Sequence, residues 1–125
     1  MRTITTHHTN ECNKAITLEA DDRNENGVTR FYTAYYDHPE CDPGTDKQVI
    51  EIPFQYGPIK EVGTNGLTLE VLLAIAIDQL EGYQSSKFAN EWNETALTHC
   101  VLALQNLELR TEARTERGVE GTHEV

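Results

Sequence analysis

The chain has 125 residues, an apolar fraction of 38% and a formal net charge of -11, which fits one domain or two small subdomains. The acidic balance argues against DNA, RNA or an anionic membrane as the principal partner, because those surfaces demand clustered Lys and Arg. No run is long and apolar enough to span a bilayer, and the first ten residues, MRTITTHHTN, lack the apolar stretch of a signal peptide, so the expected location is the cytoplasm of the cell that makes it.

In chain order, residues 1–12 read as a polar, frayed leader. KAITLE (14–19) alternates as a strand does, and DDRNENG (21–27) is a run of turn formers ending in Asn26-Gly27. VTRFYTAYY (28–36) is β-branched and aromatic, and reads as a second strand. DHPECDPGTD (37–46) is a loop with two prolines, and QVIEIPF (48–54) a third strand in which Pro53 marks an edge or a bulge. The first half is therefore an antiparallel meander of at least three strands.

QYGPIKEVGTNGL (55–67) reads as a connector with room for a short hairpin at Asn65-Gly66. The period then changes. Thr68 is a natural N-cap, and Leu69, Leu72, Leu73, Ala76, Ile77 and Leu80 form a broad apolar helical face. Gly82 stands near the end of that helix, and Ser85-Ser86 are candidate caps for a second one over about 87–117. There Phe88, Trp92, Ala96, Leu97, Cys100, Val101, Leu104 and Leu107 recur at three- and four-residue steps, with Gly118 closing the helix and VEGTHEV left as an exposed tail. The expected fold is α+β, with an antiparallel β meander and connector at 1–66 and an antiparallel αα-hairpin with a short tail at 67–125.

Catalytic and metal chemistry find little support. Cys12, Cys41 and Cys100 are odd in number and scattered, so they do not outline a disulfide framework. His38 and Cys41 share one zinc-like spacing, and His7, His8 and Cys12 lie in the leader, but zinc prefers four ligands in tight local pairs. Asp78 and His99 fall on the two facing helices, yet exposed positions account for both. No nucleophile elbow, phosphate loop or dinucleotide fingerprint is present. Neither enzyme activity, nor a metal, nor a cofactor is expected.

Ligand binding has more to recommend it. Arg110, Arg114 and Arg117 recur at helical spacing on one face of an otherwise acidic protein. Glu108, Glu112 and Glu116 interleave with them, and cations favour a helix C-terminus, so a solvated face and an anion site both fit that stripe. Tyr56 and Tyr83 stand at element ends where a ring can stack on a base. Asn93 offers both a donor and an acceptor, and arginines grip phosphate in bidentate fashion.

The segments FQYGPIKEVGTNG, EVLLAIAIDQLEGYQS, NETALTH and LELRTEARTERGVEGT, between Phe54 and Thr122, resemble the phage Thoeris anti-defence sponge family, whose helical hairpin is shared with the sponge that neutralises CBASS cyclic nucleotides. The likeness covers a little over half of the chain. The resemblance implies a non-enzymatic protein that binds and hides glycocyclic ADP-ribose signals, with some members also holding cyclic di- or trinucleotides at a separate site. It puts the family's aromatic contact at Tyr83, where Phe is frequent, its ligand-binding asparagine at Asn93 and its phosphate contacts at Arg110 and Arg114. Lys60 is a weaker phosphate candidate. Asn90 departs from the Cys expected there, a difference that concerns the hairpin turn.

Helix geometry adds a separate constraint. Asn93 and Arg110 are seventeen positions apart, about 25 Å along a straight helix, which exceeds the size of a cyclic ADP-ribose. Either the two residues belong to unrelated sites, or one molecule touches both where two chains pack antiparallel and share the pocket; the second is the expectation, in a homo-oligomer with inter-subunit sites, a dimer or a higher form such as a hexamer. The competing reading is an acidic protein-interaction inhibitor that docks on a host defence protein.

Overall fold

The computed structural model describes residues 1–125, which divide into two compact units: Met1–Tyr56 with Thr64–Gly66, and Gly57–Gly63 with Leu67–Val125. The fold is α+β, with the sheet in the first unit and the long helices in the second.

The first unit is a four-stranded antiparallel sheet in the order β1 (Arg2–Ile4), β2 (Thr17–Ala20), β3 (Phe31–Asp37), β4 (Lys47–Pro53). Its register explains the alternation in the sequence. One rung aligns Ile4, Leu18, Ala34 and Ile50, and the next aligns Arg2, Ala20, Tyr32 and Ile52, so one face is largely apolar. Thr3, Glu19, Thr33 and Glu51 form a polar rung on the other face, where the Tyr35 hydroxyl donates to Glu19 Oε1 at 2.8 Å. Pro53 ends β4, an edge strand, where a missing N–H costs no ladder bond.

The leader is not frayed. Its Arg2-Thr3-Ile4 forms β1, pinned by the Arg2 guanidinium, whose Nη2 donates to the Asp21 carbonyl at 3.0 Å and to Thr29 Oγ1 at 2.7 Å. A one-turn helix, α1 (Glu11–Lys14), follows, with Asn10 as its N-cap. Asn26-Gly27 makes no two-residue hairpin. It sits in the longer β2–β3 loop, where Asn24 Oδ1 accepts from the N–H groups of Asn26 and Val28 and Gly27 takes φ +80°.

The connector also departs from expectation. Ile59–Val62 form a one-turn helix, α2. Asn65-Gly66 is not a hairpin tip. The Asn65 side chain accepts from Tyr56 N–H at 2.8 Å and donates to Tyr56 O at 2.7 Å, as a backbone strand would. Gly66 is needed because a Cβ there would come within 2.4 Å of the Phe54 carbonyl carbon.

The second unit is dominated by α3 (Leu69–Gln84) and α4 (Glu91–Glu116), packed as an αα-hairpin. Thr68 caps α3 through its hydroxyl, as its sequence position implies. Ser85 ends α3, and the cap of α4 is Asn90, whose Oδ1 accepts from Asn93 N–H at 2.7 Å. Phe88 therefore lies in the turn. The half-buried residues of α4 are Asn93, Leu97, Cys100, Val101, Ala103, Leu104, Leu107, Thr111 and Arg114, most of them at the three- and four-residue spacing of a helix seam. Trp92 is outside it and 75% exposed.

Across the chain only Ala20 (1% exposed) and Thr29 (5%) are buried, and neither α3 nor α4 contains a buried residue. Trp92, Leu102 and Leu109 on α4 and Val71 and Ile75 on α3 are exposed. No helix is long and apolar enough to cross a membrane.

Candidate functional site

The hairpin sorts the five candidate residues into two groups. Tyr83 and Asn93 flank the turn between the helices. Arg110 and Arg114 stand near the far end of α4, and Lys60 is on α2. Asn93 and Arg110 belong to one uninterrupted helix of 26 residues, about 39 Å long at its standard rise. They remain about 25 Å apart along its axis, so within one chain the two groups do not meet.

At the turn end, Tyr83 is the last aromatic of α3 and 48% exposed. Its backbone is fixed, because its carbonyl accepts from the Ser86 hydroxyl at 2.7 Å and from Ser86 N–H at 3.1 Å. The ring therefore extends from a rigid base into solvent. Asn93 occupies the first turn of α4 and commits its N–H to the Asn90 cap, which leaves its side-chain amide for other partners. Gln84 braces this end: its amide donates to the Asn90 carbonyl and to Glu94 Oε2, each at 3.1 Å.

At the far end, Arg110 makes one loose ion pair, 3.8 Å to Glu70, with its side chain 57% exposed. Such a pair is worth little and yields readily to a better anion. Arg114 differs. Its side chain is 22% exposed and bound by the segment after the helix, with Nε donating to Glu120 Oε2 at 3.1 Å. Arg117 caps α4. The tail expected to lie free is partly docked, with 119–122 half-buried, because Gly118 at φ +72° turns the chain back. The Lys60 N–H donates to the Gly121 carbonyl at 3.1 Å.

The remaining candidates are less organised. Tyr56 carries the Arg30 guanidinium 5.4 Å from its ring centre in the first unit. Asp78 and His99 are both exposed and form no hydrogen bond or ion pair with each other. His38 Nδ1 accepts from Glu40 N–H at 3.2 Å, and no group of three or more His, Cys, Asp or Glu side chains could hold a metal ion. Sequence reasoning missed Gln84 and Glu120 as supports; the only available signal was a polar side chain next to a turn.

These features define an α+β protein whose long helical hairpin carries an aromatic–amide pair at one end and arginines at the other. The family model described as "Acb2/Tad1, hairpin domain" matches residues 46–108, and the chain belongs to that family. Lys60, Tyr83 and Asn93 fall inside the matched segment; Arg110 and Arg114 follow it directly. The chain is also similar to "Thoeris anti-defense 1" of Bacillus phage SBSphiJ7, with 45% identity over 77 residues, or 62% of this chain and 54% of that protein. The chain thus matches about half the length of this relative.

Proposed function

We propose that this protein is a phage anti-defence sponge that binds cyclic ADP-ribose isomers of the glycocyclic type and withholds them, unaltered, from a Thoeris effector in the host cytoplasm. The observation that carries the reading is the hairpin: it belongs to the Acb2/Tad1 family and is similar to a protein named for Thoeris anti-defence. Tyr83 stacks on the adenine, Asn93 reads polar edges of base or ribose, and Arg110, Arg114 and Lys60 form the cationic set for the diphosphate. Binding is non-catalytic and uses no metal or cofactor. Cyclic di- and trinucleotides of CBASS are the second ligand class, at a separate site.

The site is completed between chains. In an antiparallel pair, the turn end of one hairpin meets the arginine end of its neighbour, and two equivalent pockets follow by symmetry. The exposed Trp92, Leu102 and Leu109 of α4 supply an apolar surface for that contact. The assembly is a dimer or a multiple of it, such as a hexamer.

Calorimetric titration with the two glycocyclic ADP-ribose isomers and a cyclic trinucleotide, followed by heat release and chromatography of the ligand, tests the reading. Tight binding with intact ligand recovered is the expected result. Conversion of the ligand would make the protein an enzyme. Absence of binding would move the acidic docking inhibitor of a host defence protein to the front; that reading also requires charge reversal at Arg110 and Arg114 to leave anti-defence activity intact.

A further inference from the structure

The sheet has a short edge, the three residues of β1, and a long one, the seven of β4. All of β4 except Ile52 is exposed. The direction of its backbone groups follows from the bonds just outside the β3–β4 register. Phe54 N–H donates to Arg30 O at 2.7 Å beyond one end, and His38 N–H to Asp46 O at 3.0 Å beyond the other. Bonded pairs alternate along an antiparallel ladder, so Gln48, Ile50 and Ile52 turn their N–H and C=O groups toward β3. Lys47, Val49 and Glu51 turn theirs outward. Pro53 also faces out but has no N–H, which ends the run of outward donors at Glu51.

The three outward residues are self-complementary. A two-fold axis through Val49 sets Val49 opposite its own copy and Lys47 opposite Glu51 of the second chain. Each of these pairs joins two outward-facing residues, which then exchange both of their N–H···O bonds. Opposite charges attract across the strands. Lys47 already holds Asp37 in its own chain, but an ammonium has three donors. The same register covers Val49, which is 62% exposed on the face that carries the polar rung. Other registers fit less well. An axis through Ile50 sets Pro53 opposite Lys47 and loses a donor, and an axis through Glu51 sets two carboxylates face to face. Charges on an edge strand discourage chance pairing, and this arrangement of them permits one partner.

We propose that β4 is a second interface between copies of this chain, in which two sheets join antiparallel through residues 47–51 into one continuous sheet. Five residues a side fall short of the roughly 20–30 of a stable interface, so the edge does not hold two free chains together. It acts on chains already paired through α4, and in that respect rests on the proposed function; there, several weak contacts work together. Two different two-fold contacts on each chain close only into rings larger than a pair, with an even number of chains.

Amide exchange by NMR and light scattering, both on the full-length chain, test this. In assembled wild type the Val49 and Glu51 amides should exchange about tenfold or more slower than at dilutions where the mass falls to two chains, with the Ile50 amide protected in both. Val49→Pro removes an N–H that the chain's own ladder does not use, a change that edge strands tolerate. It should hold the mass at two chains and leave the Glu51 amide open, while Ile50 stays protected. Glu51→Lys sets a cation opposite Lys47 and should do the same, and mixing it with Lys47→Glu should restore the larger mass. Free exchange at Val49 and Glu51 in assembled wild type, or full assembly by Val49→Pro, overturns the proposal. Protection that survives Glu51→Lys also overturns it, by showing another register or another strand on the edge. A wild type of two chains removes the edge contact alone, whereas a wild type of one chain removes the α4 pairing with it.

Discussion

Gln84 and Asn90 exchange two hydrogen bonds across the hairpin turn: Gln84 Nε2 donates to Asn90 O, and Asn90 N–H donates to Gln84 Oε1, both at 3.1 Å. The end of α3 is thereby joined to the cap of α4, and Tyr83 and Asn93 flank the junction. Asn90→Ala removes the cap and should cost about 1 kcal/mol of stability. Gln84→Ala should cost less alone, and the double variant should fall short of the sum, because the two residues share one network. Urea midpoints at constant m-value check this.

The ring at 83 is proposed to act by stacking. Tyr83→Phe should keep glycocyclic ADP-ribose affinity within about twofold, since the face of the ring is retained. Tyr83→Ala should lose about 1–3 kcal/mol, roughly 5- to 100-fold in Kd by calorimetry.

The exposed apolar stripe of α4 is proposed to join copies of the chain. A carboxylate placed in such an interface is desolvated without a partner. Leu102→Glu should therefore lower the mass measured by light scattering to that of one chain and abolish capture, while far-ultraviolet circular dichroism still reports helix. A wild type that is monomeric at micromolar concentration and binds tightly would remove the shared pocket.

Gly66 faces the Phe54 backbone with no room for a side chain. Gly66→Ala should destabilise the first unit by about 1–3 kcal/mol through forced backbone movement. Gly82 has open space around its Cβ position inside α3, so Gly82→Ala should stabilise by up to about 1 kcal/mol. Thermal midpoints of the two variants should move in opposite directions.

Asp37 and Lys47 face each other where β3 and β4 begin to separate into the loop. The hydrogen bond from Lys47 and a second from the Gly44 backbone hold the Asp37 carboxyl below its ordinary value of 3.8. A depressed carboxyl contributes stability above the unfolded-state value and loses it as pH falls through the folded-state one. The Asp37 carboxyl carbon should thus titrate below 3.8 by NMR, and Lys47→Gln should raise that midpoint.

The sequence announced the elements that carry a period. KAITLE, VTRFYTAYY and QVIEIPF became β2, β3 and β4, since alternation matches a sheet with one apolar face, and Thr68 capped α3 as its hydroxyl allows. The short elements left no such trace. β1 holds three residues and depends on a non-local tie from Arg2 to Asp21 and Thr29, while α1 and α2 are single turns. Ser85, Ser86 and Asn90 are all cap-forming types, and only the closing of the turn by Gln84 selects Asn90. Trp92 continued the helical pattern of its neighbours and still faces solvent, because two helices can cover only one side of α4. For the site, residue type and spacing nominated the arginines, but the different surroundings of Arg110 and Arg114 arise from a tail whose docking depends on Gly118 and Gly121.

Helix α4 sets an angular phase as well as a length. Each residue advances it by about 1.5 Å and about 100°, so the direction in which Arg110 projects is locked to that of Asn93 by the number of residues between them. One residue inserted after Leu102 would turn the arginines by more than a quarter turn relative to the asparagine. An insertion of seven, about two turns, would nearly restore their relative direction while lengthening the frame by about 10 Å. If copies share the pocket as proposed, a rigid rod of this kind discriminates by torsion: a neighbour of the wrong helical pitch would present its charges to empty solvent even with its sequence around each contact intact.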